Sequence, residues 1–230
     1  MDRPAADGRT DQANPVTLEQ LRQGIARVLK YQAKKGKVPW DFHNSLYARH
    51  EEYRRRGLDH EFWDVLVDDL WSWHAIRGRT KHTKAGIREE GLQRFSMLKE
   101  CFTRLIGNSG VELPSIDSVR WDDAKPLFDV ARKIKDATSP MFASKLCHFL
   151  VPSIYFITDG TLVKRGWKDY PTYWKDCRSA WLCRHDDQAL QDELKKEIAV
   201  APCDSFPWAT KITELCQFDI RSAAGIELDS

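Results

Sequence analysis

The chain predicts an all-α fold in a single compact multi-helix domain, and three observations carry that expectation. Apolar residues recur at helical spacing in segment after segment. Only one short run, PSIYFIT at 152–158, reads as a candidate strand, and it fits a buried extended connector equally well. No Pro/Gly/Ser-rich linker and no internal repeat divides the 230 residues, a length that suits one domain with a core too large to need disulfide staples. With 42% hydrophobic and 30% charged residues and a mean hydropathy of -0.55, collagen-like, coiled-coil and fully disordered classes are excluded.

Each element has its own signal. Residues 1–15 are polar and aperiodic and are expected to form a disordered tail, leaving 16–230 as the domain. Thr17 caps TLEQLRQGIARVLKYQ, whose Leu18, Leu21, Ile25, Val28 and Leu29 share one face. Asp41 or Asn44 opens a helix toward Arg56, which Gly57 stops. DHEFWDVLVDDLWSWHAIRG repeats the pattern through Phe62, Leu66, Leu70, Trp73 and Ile76, and a further helix spans 86–106 before the turn cluster GNSG. Pro126 stands as a first-turn proline in DDAKPLFDVARKIKDA, and Ser139-Pro140 repeats the signal before MFASKLCHFLV. Asp159 stands as the N-cap of GTLVKRGW, and helices are expected at about 171–184, 186–200 and 208–222.

Charge is segregated along the sequence. Residues 186–230 hold 10 acids against 4 bases, while residues 1–185 hold 24 acids against 32 bases. Arg22, Arg27, Lys30, Lys34, Lys35 and Lys37 form one acid-free basic cluster, and Arg77, Arg79, Lys81 and Lys84 form another. Such clusters either track a phosphate backbone or make a solvated helix face and a basic loop. The longest weakly polar run, Phe149–Thr158, is half a bilayer span, and the N-terminus lacks an apolar signal core, so a cytoplasmic location is expected. The six cysteines are then read as reduced thiols, because Cys177, Cys183, Cys203 and Cys216 include no close C-x-x-C pair for a metal.

Walker, dinucleotide-binding, H-E-x-x-H, G-x-S-x-G and zinc-deaminase signatures are absent. The informative stretch is 138–167. In a helix over 140–150, Phe142, Leu146, Phe149 and Leu150 form a buried stripe, and Lys145 and His148 share an adjacent face. An amine near the helix N-terminus and beside apolar groups has its charged form disfavoured, which makes it a better nucleophile. Fourteen residues later, a capping Asp159 would stay ionised and stabilise an oxocarbenium-like sugar, the charge logic of glycosidic cleavage. The same two residues also fit a plain helix cap and a snorkelling surface lysine.

The run S-P-x-F-x-S-K-L-x-x-F followed by I-T-D-G-T-L-V-K-R resembles the catalytic core of the helix-hairpin-helix DNA glycosylase superfamily, nearest to its 8-oxoguanine-glycosylase-fold branch. The resemblance covers about 30 of the 230 residues. It matches Lys145 to the family's hairpin lysine and Asp159 to its capping aspartate, with Leu162 and Val163 packing behind. Ser139, Pro140 and Ala143 replace the usual glycine-rich hairpin, so the implied helix-hairpin-helix core is a degenerate one, and the family's iron-sulfur cysteine spacing is missing. What the resemblance implies is a DNA N-glycosylase in which Asp159 and Lys145 are catalytic, with no cofactor and no metal. Ser144, His148, Lys164, Arg165, Trp167, Arg77, Arg79, Lys81 and Lys84 are the expected DNA contacts. The implied partner is double-stranded DNA bearing a modified base, the implied setting is base-excision repair or defence against phage DNA with modified cytosines, and the expected state is a monomer away from membranes. A glycosylase flips its base against aromatic walls; Trp71 and Trp73 precede the second basic cluster, and Trp167 and Trp174 follow Asp159. A non-catalytic helical DNA-binding module and a helical protein adaptor are the competing readings.

Overall fold

Side-chain caps and glycine stops set where the helices begin and end. A computed structural model describes residues 15–34, 36, 41–76, 83–107, 113–135, 140–158 and 167–222, with side chains as far as Gln217. Thr17 and Gln20 cap each other's backbone N–H groups at the start of α1 (Leu18–Lys34). The Asp41 carboxylate accepts from the backbone N–H groups of His43 and Ser45 and opens α2 (Asn44–Arg56), which stops at Gly57 with φ 83°. Asp59 caps α3 (His60–Ser72) through the Phe62 N–H, and Thr83 caps α4 (Lys84–Gln93) through the Gly86 N–H. α5 (Phe95–Ile106), α6 (Trp121–Lys135) and α7 (Pro140–Leu150) follow. Asp169 caps α8 (Tyr170–Leu182), Asp186 caps α9 (Asp187–Lys195), and α10 (Trp208–Ser222) comes last. Among the described residues there are ten helices and no strand.

Several elements differ from expectation: α3 ends at Ser72, short of Trp73 and Ile76, and α9 ends at Lys195, short of residue 200. The helix predicted over 86–106 divides at Arg94 into α4 and α5. On either side of that division α4 packs on α3 and α6, and α5 on α6. Gly91 makes the first contact possible, because a Cβ there would stand 1.8 Å from Cζ2 of the buried Trp63. Helix α6 begins at Trp121 and carries Pro126 in its interior, so this proline is not a first-turn residue. Of the two readings of 152–158, the structure shows a buried connector and no strand: a turn over 152–154, then irregular chain to Thr158. The tail over residues 1–14 lies outside the described residues; Val16, just beyond it, is buried and donates its N–H to the Ala180 carbonyl.

Helix α7 runs through the centre, packed by α2, α3 and α6, and every residue from Phe142 to Leu150 is buried. On one side α1 lies along α10, and α8 and α9 close around that pair. No helix among the described residues is long and apolar enough to cross a membrane.

Candidate functional site

Leaving the C-terminus of α7, the chain turns at Val151 and runs through the interior to Thr158 without a sheet partner. Buried backbone polar groups need partners, and here side chains from three helices supply them. The indole of Trp174 donates to the Ile154 carbonyl (2.8 Å), His148 Nδ1 to Tyr155 O (2.5 Å), the Tyr170 hydroxyl to Phe156 O (2.7 Å) and the Tyr173 hydroxyl to Ile157 O (3.0 Å). In the other direction, the Ile157 N–H donates to Glu214 Oε1 (2.6 Å) and the Thr158 N–H to Ser144 Oγ (3.1 Å). Tyr170, Tyr173 and Trp174 present one face of α8, so the motif YPTYW is in effect a docking strip for the connector.

The polar groups behind the connector form one network. A backbone carbonyl can only accept, so His148 Nδ1 carries the proton and Nε2 accepts from the Tyr47 hydroxyl at 2.7 Å. Burial, and then the nearby Lys211, hold the His148 pKa well below its ordinary value, and the ring is neutral. Burial pushes the Tyr47 phenol up to about 12, which keeps its proton available to the imidazole. Desolvation works against the Lys211 ammonium, but Tyr47 and Glu214 outweigh it and raise its pKa. Glu214 Oε2 lies 3.3 Å from Lys211 Nζ.

Lys145 is 7% exposed, with Nζ 5.2 Å from the centroid of the Trp73 ring, a cation–π contact. Trp73 is fixed from two sides: its indole N–H donates to His43 Nε2 at 3.1 Å, and its ring packs on Phe149. His43 itself sits at φ 68°, a left-handed conformation that histidine enters more readily than most residues. Burial first, then Lys211, His148 and Lys145, lower its pKa well below the usual value. Lys145 therefore belongs to a cluster of His43, Trp73, His148 and Lys211 and is not a surface lysine.

Three expected DNA contacts turn out to be internal. Ser144 is fully buried, donating to Met141 O and accepting from Thr158. His148 is fully buried in the network above. Trp167 is also buried, bonded to Asp176 and edge-on to Tyr173. Ser144 and His148 bond the connector directly, and Trp167 packs on Tyr173, which bonds it. Ser144 and His148 are internal because α7 has neighbours on several sides, so the face next to the apolar stripe is covered as well. Lys84 is ion-paired to Asp68 at 2.8 Å. Asp159, Lys164, Arg165, Arg77, Arg79 and Lys81 lie outside the described residues.

Comparison with protein families, curated proteins and solved structures yields no match. The site rests on its own geometry. That geometry adds Tyr47, His43, Lys211 and Glu214, which the sequence reading passed over. One local signal existed: Lys211 and Glu214 share a face three residues apart in TKITELC, where their neighbours Ile212, Leu215 and Cys216 are all core residues.

Proposed function

We propose that the protein is a DNA glycosylase that hydrolyses the N-glycosidic bond of a modified base and leaves an abasic site, working as a cytoplasmic monomer without metal or cofactor. The observation that carries this reading is the bond from the Thr158 N–H to Ser144 Oγ. It fastens the residue before Asp159 in sequence to the residue before Lys145. The two groups that the motif pairs across fourteen positions thus have their immediate neighbours in hydrogen-bond contact. The α7-connector unit is read as a degenerate helix-hairpin-helix core. In this scheme Asp159 stabilises positive charge on the sugar as the base departs with the bonding electrons, and water adds to the anomeric carbon while its proton passes to the departed base. The excised base is one met in repair, or a modified cytosine of phage DNA.

The test is incubation of the full chain with duplexes carrying oxidised, alkylated, deaminated or phage-type modified bases, scoring abasic sites. Release of one class of base is expected. Asp159→Asn should lower that release by at least about a hundredfold while thermal stability holds, because asparagine also caps a helix. Binding without any base release across the panel would favour the non-catalytic DNA module instead.

A further inference from the structure

Glu214 is a buried carboxylate on the α10 face that it shares with Lys211 and Gln217, 57 residues from the connector atom it holds. A buried ion pair is a weak source of stability, since a well-packed apolar pair of similar volume does as well or better. What such a pair does supply is geometry. A charge-assisted bond to a backbone N–H is short and directional, and the Ile157–Glu214 bond at 2.6 Å is of that kind. Its other oxygen faces Lys211, whose ammonium lies 5.6 Å from the Tyr47 ring centroid. Tyr47 donates to His148, and His148 donates to Tyr155 O. The Glu214–Lys211 pair therefore reaches the connector twice, directly at residue 157 and through two side chains at residue 155. A slip by one residue would break both links.

We infer that Glu214, backed by Lys211, is a positioning residue that fixes the register of the connector and so sets where Thr158 meets Ser144, the neighbour of Lys145. Its catalytic consequence rests on the glycosylase reading; its structural content does not. Glu214 acts through the backbone of Ile157 and touches neither DNA nor the reacting atoms.

The experiment uses the full-length protein as wild type, Glu214→Ala and Glu214→Gln, with two readouts. In native-state hydrogen exchange the Ile157 and Thr158 amides are protected in the wild type. They exchange at least about a hundredfold faster in Glu214→Ala, while the amide of Leu66 in α3 is unchanged. Glu214→Gln keeps a carbonyl acceptor and restores most of the protection, which also guards against a poorly folded alanine variant. Fast exchange at Ile157 in the wild type, or equal acceleration at Ile157 and Leu66, overturns the inference. On whichever DNA the wild type processes, Glu214→Ala lowers kcat roughly a hundredfold with KM unchanged, the signature of misplacement rather than lost binding, and Glu214→Gln recovers it. Unchanged kcat alongside the expected exchange pattern overturns the positioning role. A wild type that releases no base overturns the glycosylase reading alone, and the exchange data then decide Glu214.

Discussion

Lys145 ends against the face of Trp73, and that seat bears on which of two chemistries it serves. A nucleophilic amine must reach the anomeric carbon and form a Schiff base, whereas a positioning lysine only has to hold DNA while water attacks. With Nζ held 5.2 Å from a ring that His43 and Phe149 lock in place, the side chain must leave an aromatic contact before it attacks anything. Lys145→Gln is therefore expected to slow base release by at least about tenfold, while borohydride traps little covalent complex in the wild type and strand nicking lags behind base loss. A strong trapped complex that vanishes in Lys145→Gln would establish the covalent route. Full activity in that variant would leave Lys145 with packing alone. The lysine and its helix were legible in the sequence because SPMFASKLCHFLV carries its own start signal. The fate of Ser144 and His148 was not, because a helical wheel shows which face is apolar but not how many neighbours a helix has.

At the level of elements, some helix starts were readable and others were not. Thr17 and Asp41 each accept a backbone N–H within a few residues, and a cap is a local event that composition records, whereas the start of α6 at Trp121 was hidden by the proline inside it. The burial of Lys211 and Glu214 answers to residues far away in the chain, which periodicity does not see. Glycines show the same split. Helix propensity favours Gly24→Ala by about 1 kcal/mol, yet a Cβ at Gly24 would stand 2.1 Å from the Leu215 carbonyl oxygen, where α1 lies along α10. Backbone cannot rotate aside as a side chain can, and overpacking costs about 1–3 kcal/mol. Gly24→Ala should thus lower the thermal midpoint by several degrees. Exposed Gly36, with nothing within 4 Å of a Cβ but a φ of 67°, is the contrasting position: any loss there comes from backbone strain alone. Differential scanning calorimetry of the Gly24 variant checks the first expectation, and an unchanged midpoint would mean that α1 and α10 separate more easily than their packing implies.

For the whole molecule, buried histidines give stability a pH dependence with a definite sign. His43, His50 and His148 all have pKa values lowered from the ordinary 6.5, chiefly by burial, with Lys211 acting on His43 and His148 and Arg54 and Arg49 on His50 against the opposing pull of Asp69. They remain neutral in the folded chain and take up protons near pH 6.5 once unfolded. Their contribution is fully present above that pH and is lost as pH falls below it. Lower still, Asp41, Glu51, Asp117 and Asp169, held below their usual values, add to the loss through the carboxylate range. Urea midpoints should be level from pH 8 to 7 and fall between pH 6.5 and 5; a flat profile there would mean that the three rings are hydrated. The connector has a further consequence, in time rather than energy. Its six bonds draw on α7, α8 and α10, and the Glu214 contribution is made 57 residues after Ile157. On a ribosome adding ~5–20 residues per second, the segment spends some seconds with its partner still unmade, an extended apolar stretch with open backbone groups. A chain cut short before α10 would keep that stretch exposed, and so would present itself to chaperones and proteases as unfinished.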